Sequence, residues 1–254
     1  MSWHPESYLA FGDERTRPAV DLLTRVPLAG PARVADLGCG PGNSTRLLCA
    51  RWPKAQVVGI DSSAAMLAKA KGSGLQARWL ESDIAAWTPD APFDVLFSNA
   101  ALQWLPDHTS LLPRLLGHLA PGGVLAVQMP RNFAAPSHVL LRDAARAGPW
   151  AESLAPRLDD EPVATPEWYH DLLAPLAAAL DIWQTEYLHV LEGDDPVLNW
   201  VRGSALRPVL AALTPEGQAR FEAEYAQRLR AAYPRRSDGR ILFPFRRLFI
   251  VAAV

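Results

Sequence analysis

The sequence predicts an α/β fold, a doubly wound sheet of mostly parallel strands with helices on its faces. Three observations predict it. Between residues 32 and 129 short apolar runs alternate with amphipathic stretches, the pattern of strands joined by crossover helices. The first run empties into closely spaced glycines, Gly38-Cys39-Gly40-Pro41-Gly42, directly before a helical stretch. Acids then stand at the carboxyl ends of three successive runs, at Asp36, Asp61 and Asp83.

Taken in order, Arg33 to Leu37 is the first strand and Ser44 to Arg51 the helix that leaves it. Gln56 to Ile60 follows as a strand, then Ser63 to Lys71 as a helix and Ala77 to Leu80 as a third strand. Phe93 to Ser98 is the fourth strand and Thr109 to Leu119 a helix. Pro121-Gly122-Gly123 is a turn that stops this helix before the fifth strand, Val124 to Met129.

Beyond Pro130 the regularity weakens. Pro136, Pro149, Pro156 and Pro162 break residues 131 to 164 into a helical excursion around Ser137 to Arg146 and a loop. Thr165-Pro166-Glu167 opens a helix ending near Ala179, with Thr as cap and Pro at the first helical position. Ile182 to Leu191 alternates as a strand, Thr214-Pro215-Glu216 caps a helix running to about Tyr233, and Arg240 to Val254 is the last strand. One catalytic domain, 1–254, is expected. It divides into an N-terminal cap segment 1–30, a cofactor-binding core 32–130, a substrate lid 131–235 carrying the sheet strand 182–191, and a final strand 240–254.

Composition narrows the function. The 254 residues carry 25 basic and 27 acidic side chains, a formal charge of −2, which gives no global attraction for a polyanion and argues against a nucleic-acid partner. No stretch approaches the 18 or so apolar residues of a membrane span, and the start lacks a signal-peptide pattern, so a cytoplasmic protein without a membrane partner is expected. Cys39 and Cys49 have no second pair to complete a four-ligand metal site, so both read as reduced and no metal is expected. Of the basic residues 22 are Arg and only Lys54, Lys69 and Lys71 are Lys. Base composition of the genome explains most of that bias, but a planar guanidinium also grips a carboxylate through two parallel hydrogen bonds.

The glycine loop carries the strongest signal. A dinucleotide fingerprint wants G-x-G-x-x-G and a pyrophosphate on the helix N-terminus. Here the third glycine comes one residue early, and Asp36, two residues before the first, would repel a phosphate. A carboxylate there suits the ammonium of an amino-acid-bearing cofactor, directly or through water. Asp61, 25 residues on, can take both hydroxyls of a ribose, and Asp83 with Ile84 can meet an adenine amino group and its ring. An isolated Asp after a strand is more often a turn former; three in order shift that balance.

This constellation resembles the class I S-adenosylmethionine-dependent methyltransferases. The residues that carry it are Asp36-Leu-Gly-Cys-Gly-Pro-Gly, Gly59-Ile-Asp61-Ser62-Ser, Glu81-Ser-Asp83-Ile84, Phe93-Asp-Val-Leu-Phe-Ser-Asn99-Ala and Pro121-Gly-Gly. The resemblance implies a Rossmann-like seven-stranded sheet whose final hairpin is antiparallel, with a helical cap. It implies S-adenosylmethionine held by Gly38 and Gly40 at the methionine moiety, Asp61 at ribose, and Asp83 with Ile84 at adenine. Asp36, Ser62 and Asn99 join that cofactor set, and Arg15 is expected at the cofactor carboxylate.

Outside the core the chain is similar to the trans-aconitate 2-methyltransferase family. Trp3-His4-Pro5, Tyr8-Leu-Ala-Phe11, Gln103-Trp104-Leu-Pro-Asp107-His108, Val127-Gln-Met-Pro130, Leu206-Arg207-Pro208 and Arg247-Leu-Phe-Ile carry that similarity. Arg131, where that family commonly has Asp, departs from it. The expected reaction is monomethyl esterification of a small polycarboxylate acceptor, trans-aconitate foremost. Alternatives are another small carboxylate, a phenol or a carrier-bound acid, or a noncatalytic S-adenosylmethionine-binding protein.

A carboxylate is ionised at pH 7, its unperturbed pKa being about 4, so no catalytic general base is expected. Arginines should hold the non-reacting carboxylates. Residues 201 to 254 contain 10 Arg against 4 acids, a local +6. Arg220, Arg228 and Arg230 are expected to pair along their helix with Glu222 and Glu224. Arg207, in a loop before proline, and Arg247, at the start of the last strand, are expected to face the acceptor, with Tyr8, Gln103, Trp104, His138 and Tyr233 on the pocket wall. Trp104 fits the apolar core equally well. The oligomeric state is left open.

Overall fold

The structure is a computed structural model, and it describes residues 12–155 and 162–254. Seven strands form one sheet in the order β3-β2-β1-β4-β5-β7-β6. Helix α1 (Gly12–Thr24) precedes β1 (Arg33–Leu37), followed by α2 (Asn43–Arg51), β2 (Gln56–Asp61), α3 (Ala64–Lys71), β3 (Arg78–Glu81) and β4 (Phe93–Asn99). A single 3₁₀ turn (Leu102–Trp104), α4 (His108–Leu116) and β5 (Leu119–Pro130) complete the parallel part. The later elements are α5 (Pro136–Ala147), α6 (Ala151–Leu154), α7 (Pro166–Leu173), β6 (Ala179–Leu191), α8 (Pro196–Arg202), α9 (Arg207–Leu210), α10 (Pro215–Ala232) and β7 (Ile241–Ala253).

The chain divides into two compact units. Unit 1 comprises the residues up to Pro130, Pro162–Thr185 and Arg247–Val254; unit 2 comprises Arg131–Glu161 and Glu186–Arg246. In unit 1 the central strands are apolar on both faces, as helices on both sides require, and Val34, Ala35, Leu37, Val95, Leu96 and Phe97 are fully buried. Strand β1 pairs in parallel with both β2 and β4, so the strand order reverses there and leaves a crevice beyond their carboxyl ends. At the opposite end of these strands Asp94 accepts from the Ala32 and Arg33 backbone N–H groups at 2.7 and 2.8 Å, an acid spent on fixing register. Arg51 donates to the Leu23 and Val26 carbonyls and so satisfies the chain end of α1. Strand β7 runs antiparallel to β5, from Arg247 opposite Pro130 to Ala253 opposite Val124.

Unit 2 combines helices α5, α6 and α8–α10 with parts of β6 and β7 around a core of aromatic residues. Trp150 meets Phe221 edge-on at 5.1 Å, and Trp200 lies against His189, Phe243 and Phe245. Two tyrosines fix the start of α5: the Tyr225 hydroxyl donates to the Ser137 carbonyl at 2.6 Å, and the Tyr233 hydroxyl accepts from the Ser137 N–H at 3.0 Å.

Several boundaries differ from those read in the sequence. Pro121-Gly122-Gly123 does not separate a helix from β5; it is an irregularity within that strand, where the register with β4 slips from Phe93↔Leu119 to Val95↔Val124. The helix begun by Thr165 stops at Leu173 rather than near Ala179, since Pro175 cannot continue it. The caps at Thr165 and Thr214 form as expected, accepting from Trp168 and Gly217 N–H groups at 3.3 and 3.2 Å. Among the described residues no helix is long and apolar enough to cross a membrane.

The β2–β3 pairing leaves no room at Gly59, where a Cβ would lie 2.5 Å from the Trp79 ring. Gly59→Ala should lower the urea unfolding midpoint by the equivalent of about 1–3 kcal/mol, the usual cost of overpacking. Trp79→Leu in the same background should recover part of it, and an unchanged midpoint in the single variant would contradict the packing assigned to that strand pair.

Candidate active site

Three of the residues expected at the cofactor, Gly38, Gly40 and Asn99, line one cleft in unit 1, at the crevice beyond β1, β2 and β4. The cleft is lined by Thr16 and Ala19 of α1, by the loop Gly38-Cys39-Gly40-Pro41, by Asn43 and Ser44, and by Asn99. The loop's shape follows from where its N–H groups go. Gly38 and Cys39 both donate to the Ile60 carbonyl, at 2.8 and 3.0 Å, and Gly40 donates to Asp61 Oδ2 at 2.8 Å. These donors are therefore turned onto the end of β2 and form no anion cradle, which agrees with the argument against a pyrophosphate.

Gly38 is glycine for a reason the spacing alone did not disclose. With φ +75° its Cβ would lie 2.2 Å from the Ala101 Cβ, so the loop after β4 presses on the glycine loop. Ile84 is buried nearby, its Cδ1 3.8 Å from the same point. Among the described residues a Cβ on Gly40 would meet nothing within 4 Å, so the loop leaves open space there.

Asp36 is fully buried. Its Oδ2 accepts from the Ser44 and Thr45 hydroxyls at 2.7 and 2.6 Å, both from the first turn of α2, while Oδ1 is buried without a partner among the described residues. Burial pushes its carboxyl up to about 6; the Thr45 and Ser44 hydroxyls hold it down and the Asp61 charge adds a smaller upward push. Asp61 uses one lone pair on each oxygen, for Gly40 N–H and for Ser63 N–H at 2.8 Å, so the carboxylate is oriented and still has acceptor capacity at the crevice. Ser62 is exposed beside it. Asp83 is exposed and accepts from Ala85 N–H at 2.9 Å, the local turn bond typical of an Asp after a strand. Cys39 and Cys49 are free cysteines, and burial, with the Asp36 charge, pushes both thiols up.

Further along the same sheet edge lies a second group of polar atoms in unit 1. Asn99 at the end of β4 is in register with Gln128 of β5, and the Ala100 N–H donates to the Gln128 carbonyl at 2.9 Å. Gln103 is buried, donates through Nε2 to the Ala100 carbonyl at 2.7 Å, and has a buried Oε1 without a partner. Asn99 Oδ1 and Gln128 Nε2 are likewise buried without partners. Arg247 is 4 % exposed and its Nη1 reaches Gln128 Oε1 at 3.5 Å. It sits seven residues into β7, not at its start, because that strand begins at Ile241.

Other expectations are corrected. Trp104 is not core: it is 47 % exposed, on the 3₁₀ turn that Gln103 stabilises. Arg207 opens the one-turn helix α9 instead of lying in a loop, since Pro208 is well suited to the first turn of a helix. Arg228 pairs with Glu224 along α10 at 2.6 Å as expected, whereas Arg230 reaches Asp195 at 2.5 Å and Glu222 takes Arg202 at 2.7 Å. His138, Arg207 and Tyr233 belong to unit 2. Burial, with Arg142 close by, pushes the His138 imidazole down to about 4, so it is neutral at pH 7. Tyr8 and the side chain of Arg15 lie outside the described residues, as does the cap segment before Gly12. Gln128 was missed, although a lone amide inside the apolar run Val124 to Met129 marks it.

Asp36→Asn tests the burial. A carboxyl raised from 3.8 to about 6 favours its protonated form in the fold, so it costs stability progressively as pH rises from 4 to 6, after which the cost is constant. The unfolding free energy of Asp36→Asn minus that of the wild type should grow by up to about 3 kcal/mol between pH 4 and pH 7. A pH-independent difference would remove the raised carboxyl.

The comparisons agree with this geometry. A family model described as "Methyltransferase domain" matches residues 34–123. The chain is 55 % identical over 251 residues to a trans-aconitate 2-methyltransferase of Azoarcus sp. strain BH72, covering 99 % of this chain and 98 % of that one. It is 50 % identical to a trans-aconitate 2-methyltransferase of Methylobacterium radiotolerans, with coverage of 98 % and 97 %. Among solved structures, a putative methyltransferase of Bacillus halodurans aligns with TM-score 0.59 at 17 % identity, over 93 % of this chain and 98 % of the other. A Haemonchus contortus phosphoethanolamine N-methyltransferase in complex with S-adenosyl-L-methionine aligns with TM-score 0.55 at 17 % identity, over 93 % of this chain and 52 % of that one. These structures share the fold; the near full-length identity of about half to the first two relatives places the family. The chain belongs to the trans-aconitate 2-methyltransferase family of S-adenosylmethionine-dependent methyltransferases.

Proposed function

We propose that the protein transfers a methyl group from S-adenosylmethionine to one carboxylate of trans-aconitate, giving a monomethyl ester. The observation that carries the acceptor class is the buried Arg247 guanidinium at the sheet edge, bonded to Gln128 in line with Asn99. A guanidinium held in a poorly hydrated place binds a carboxylate far more strongly than one in water. The near full-length similarity to trans-aconitate 2-methyltransferases supports the same acceptor.

For the cofactor, the residues fit. Asp61, held by the Gly40 and Ser63 N–H groups with acceptor capacity to spare, would take the ribose hydroxyls, and Asp83 with Ile84 would meet adenine. Gly38 and Gly40 give the methionine moiety a surface without side chains. The unpartnered Asp36 Oδ1 suits its ammonium, and Ser62, Asn99 and Arg15 complete the proposed set. When bound, S-adenosylmethionine supplies an activated sulfonium methyl. With that methyl group supplied, the chain's residues would have to hold the acceptor carboxylate toward it and keep water out, and would have no proton to move. No catalytic base is required because the nucleophile is already ionised. Arg247 and the Gln103 and Gln128 amides hold the acceptor, and orientation with exclusion of water supplies the rate. Arg247 works best on a carboxylate that does not react, since tight pairing with the attacking oxygen would stabilise the ground state. Cys39, kept as a thiol by burial, does not compete for the methyl group. The two free cysteines fit a reducing compartment such as the cytoplasm.

Radiolabelled methyl transfer to trans-aconitate, cis-aconitate, citrate and isocitrate tests the reading, with trans-aconitate expected at least tenfold ahead in kcat/KM. Arg247→Lys keeps the charge but loses the two-pronged contact, so KM for the acceptor should rise tenfold or more with unchanged affinity for S-adenosylhomocysteine. Transfer to none of the four acids, or a normal acceptor KM in the variant, would contradict it.

A further inference from the structure

Unit 2 contains a cavity of about 510 Å³ whose lining residues all belong to that unit. Arg131, Arg236 and Arg246 stand in its wall, brought there by three segments: the chain leaving β5, the turn before β7, and β7 itself. Glu186 also lines it and is engaged by Arg246 at 3.5 Å, so the arginines outweigh the acid among the described lining residues. Helix α5 begins at the same wall. Its first turn is already satisfied: Pro136 has no N–H, the Ser137 N–H donates to the Tyr233 hydroxyl at 3.0 Å, and the His138 and Val139 N–H groups donate to the Ala135 carbonyl. Asn132 is 5 % exposed, accepts from the Arg246 N–H at 3.2 Å through Oδ1, and keeps an unpartnered Nδ2 donor. Between these polar groups the wall is carbon, from Phe133, Leu242 and Pro244.

We propose that this cavity is a second acid-binding site, one that takes a small organic polycarboxylate apart from the methyl-transfer reaction. Guanidinium groups carried on three separate segments match several carboxylates spread over a molecule better than one compact anion. The volume far exceeds what inorganic phosphate fills, and the apolar wall between the arginines suits a carbon skeleton. Binding confined to the folded unit would also stabilise it in proportion to occupancy.

The test is calorimetric titration of citrate into the full-length protein and into the Arg236→Ala/Arg246→Ala double variant. Arg236 is exposed and the Arg246 side chain is 52 % exposed, so both truncations should leave the fold intact, which far-UV circular dichroism checks. The wild type should show a citrate site that the double variant loses or weakens at least tenfold, while kcat and KM for trans-aconitate change less than twofold. Equal citrate binding by the two proteins would overturn the site. A rise in the trans-aconitate KM matching the loss of citrate affinity would make the cavity the acceptor site instead and overturn its independence. Equally tight displacement by inorganic phosphate would overturn the polycarboxylate assignment. Failure of the wild type to methylate trans-aconitate would count against the proposed reaction alone, because the citrate comparison is read without turnover.

Discussion

One buried charge organises the cofactor end of this protein. Asp36 lies at the carboxyl end of β1, out of contact with water, and the hydroxyls of Ser44 and Thr45 descend on it from the first turn of α2. The glycine loop connects that strand to that helix, so its course is set by the same three residues. Asp61 fixes the loop from the other side by accepting the Gly40 N–H, and Ile60 accepts the two N–H groups before it. The loop is thus fastened to β2, while the Asp36 Oδ1 stays buried without a hydrogen-bond partner among the described residues. A buried carboxylate with one empty acceptor is costly unless something cationic meets it. In the proposed reading an amino-acid ammonium would meet it, and a phosphate would be repelled.

The polar edge of β4, β5 and β7 follows the same logic with the sign reversed. Asn99, Gln103, Gln128 and Arg247 are gathered where the sheet ends, and three of them keep buried polar atoms without partners in the protein. Each such atom costs on the order of 1–3 kcal/mol when left unmade. In the proposed reading this arrangement is preorganised for a polar acceptor, with the positive group on β7 and neutral amides beside it. The rest of the C-terminal arginine excess is largely spent elsewhere. Arg228 pairs with Glu224 and Arg202 with Glu222, while Arg230, Arg240 and Arg246 reach back to Asp195, Glu192 and Glu186. Half of the local +6 is therefore balanced by three acids just upstream of the segment in which it was counted.

The core was legible because its signals are local. Five strand runs, two threonine caps and the glycine loop depend on residues adjacent in the chain, whereas the register of β1 with β4 is helped by Asp94, 61 residues on from Arg33. What was not legible depends on residues distant in sequence. Gly38 and Gly59 are glycine because Ala101 and Trp79 press on them, which no spacing rule contains. Arg230 prefers Asp195 over a neighbour on its own helix because a partner from another segment offers both carboxylate oxygens. Gln128 carries only the faint signal of an amide in an apolar strand, and its meaning emerges when Arg247 arrives from 119 residues away.

The account stands on Asp36 meeting the cofactor ammonium as a carboxylate. The most direct measurement is the calorimetric affinity for S-adenosylhomocysteine between pH 5 and pH 8, in the wild type and in Asp36→Asn. With a carboxyl at about 6, wild-type affinity should rise steadily up to pH 6 and level off by pH 7, while the variant binds weakly and without that rise. A wild-type profile flat across this range, or a variant that binds as tightly as the wild type at pH 7.5, would contradict it.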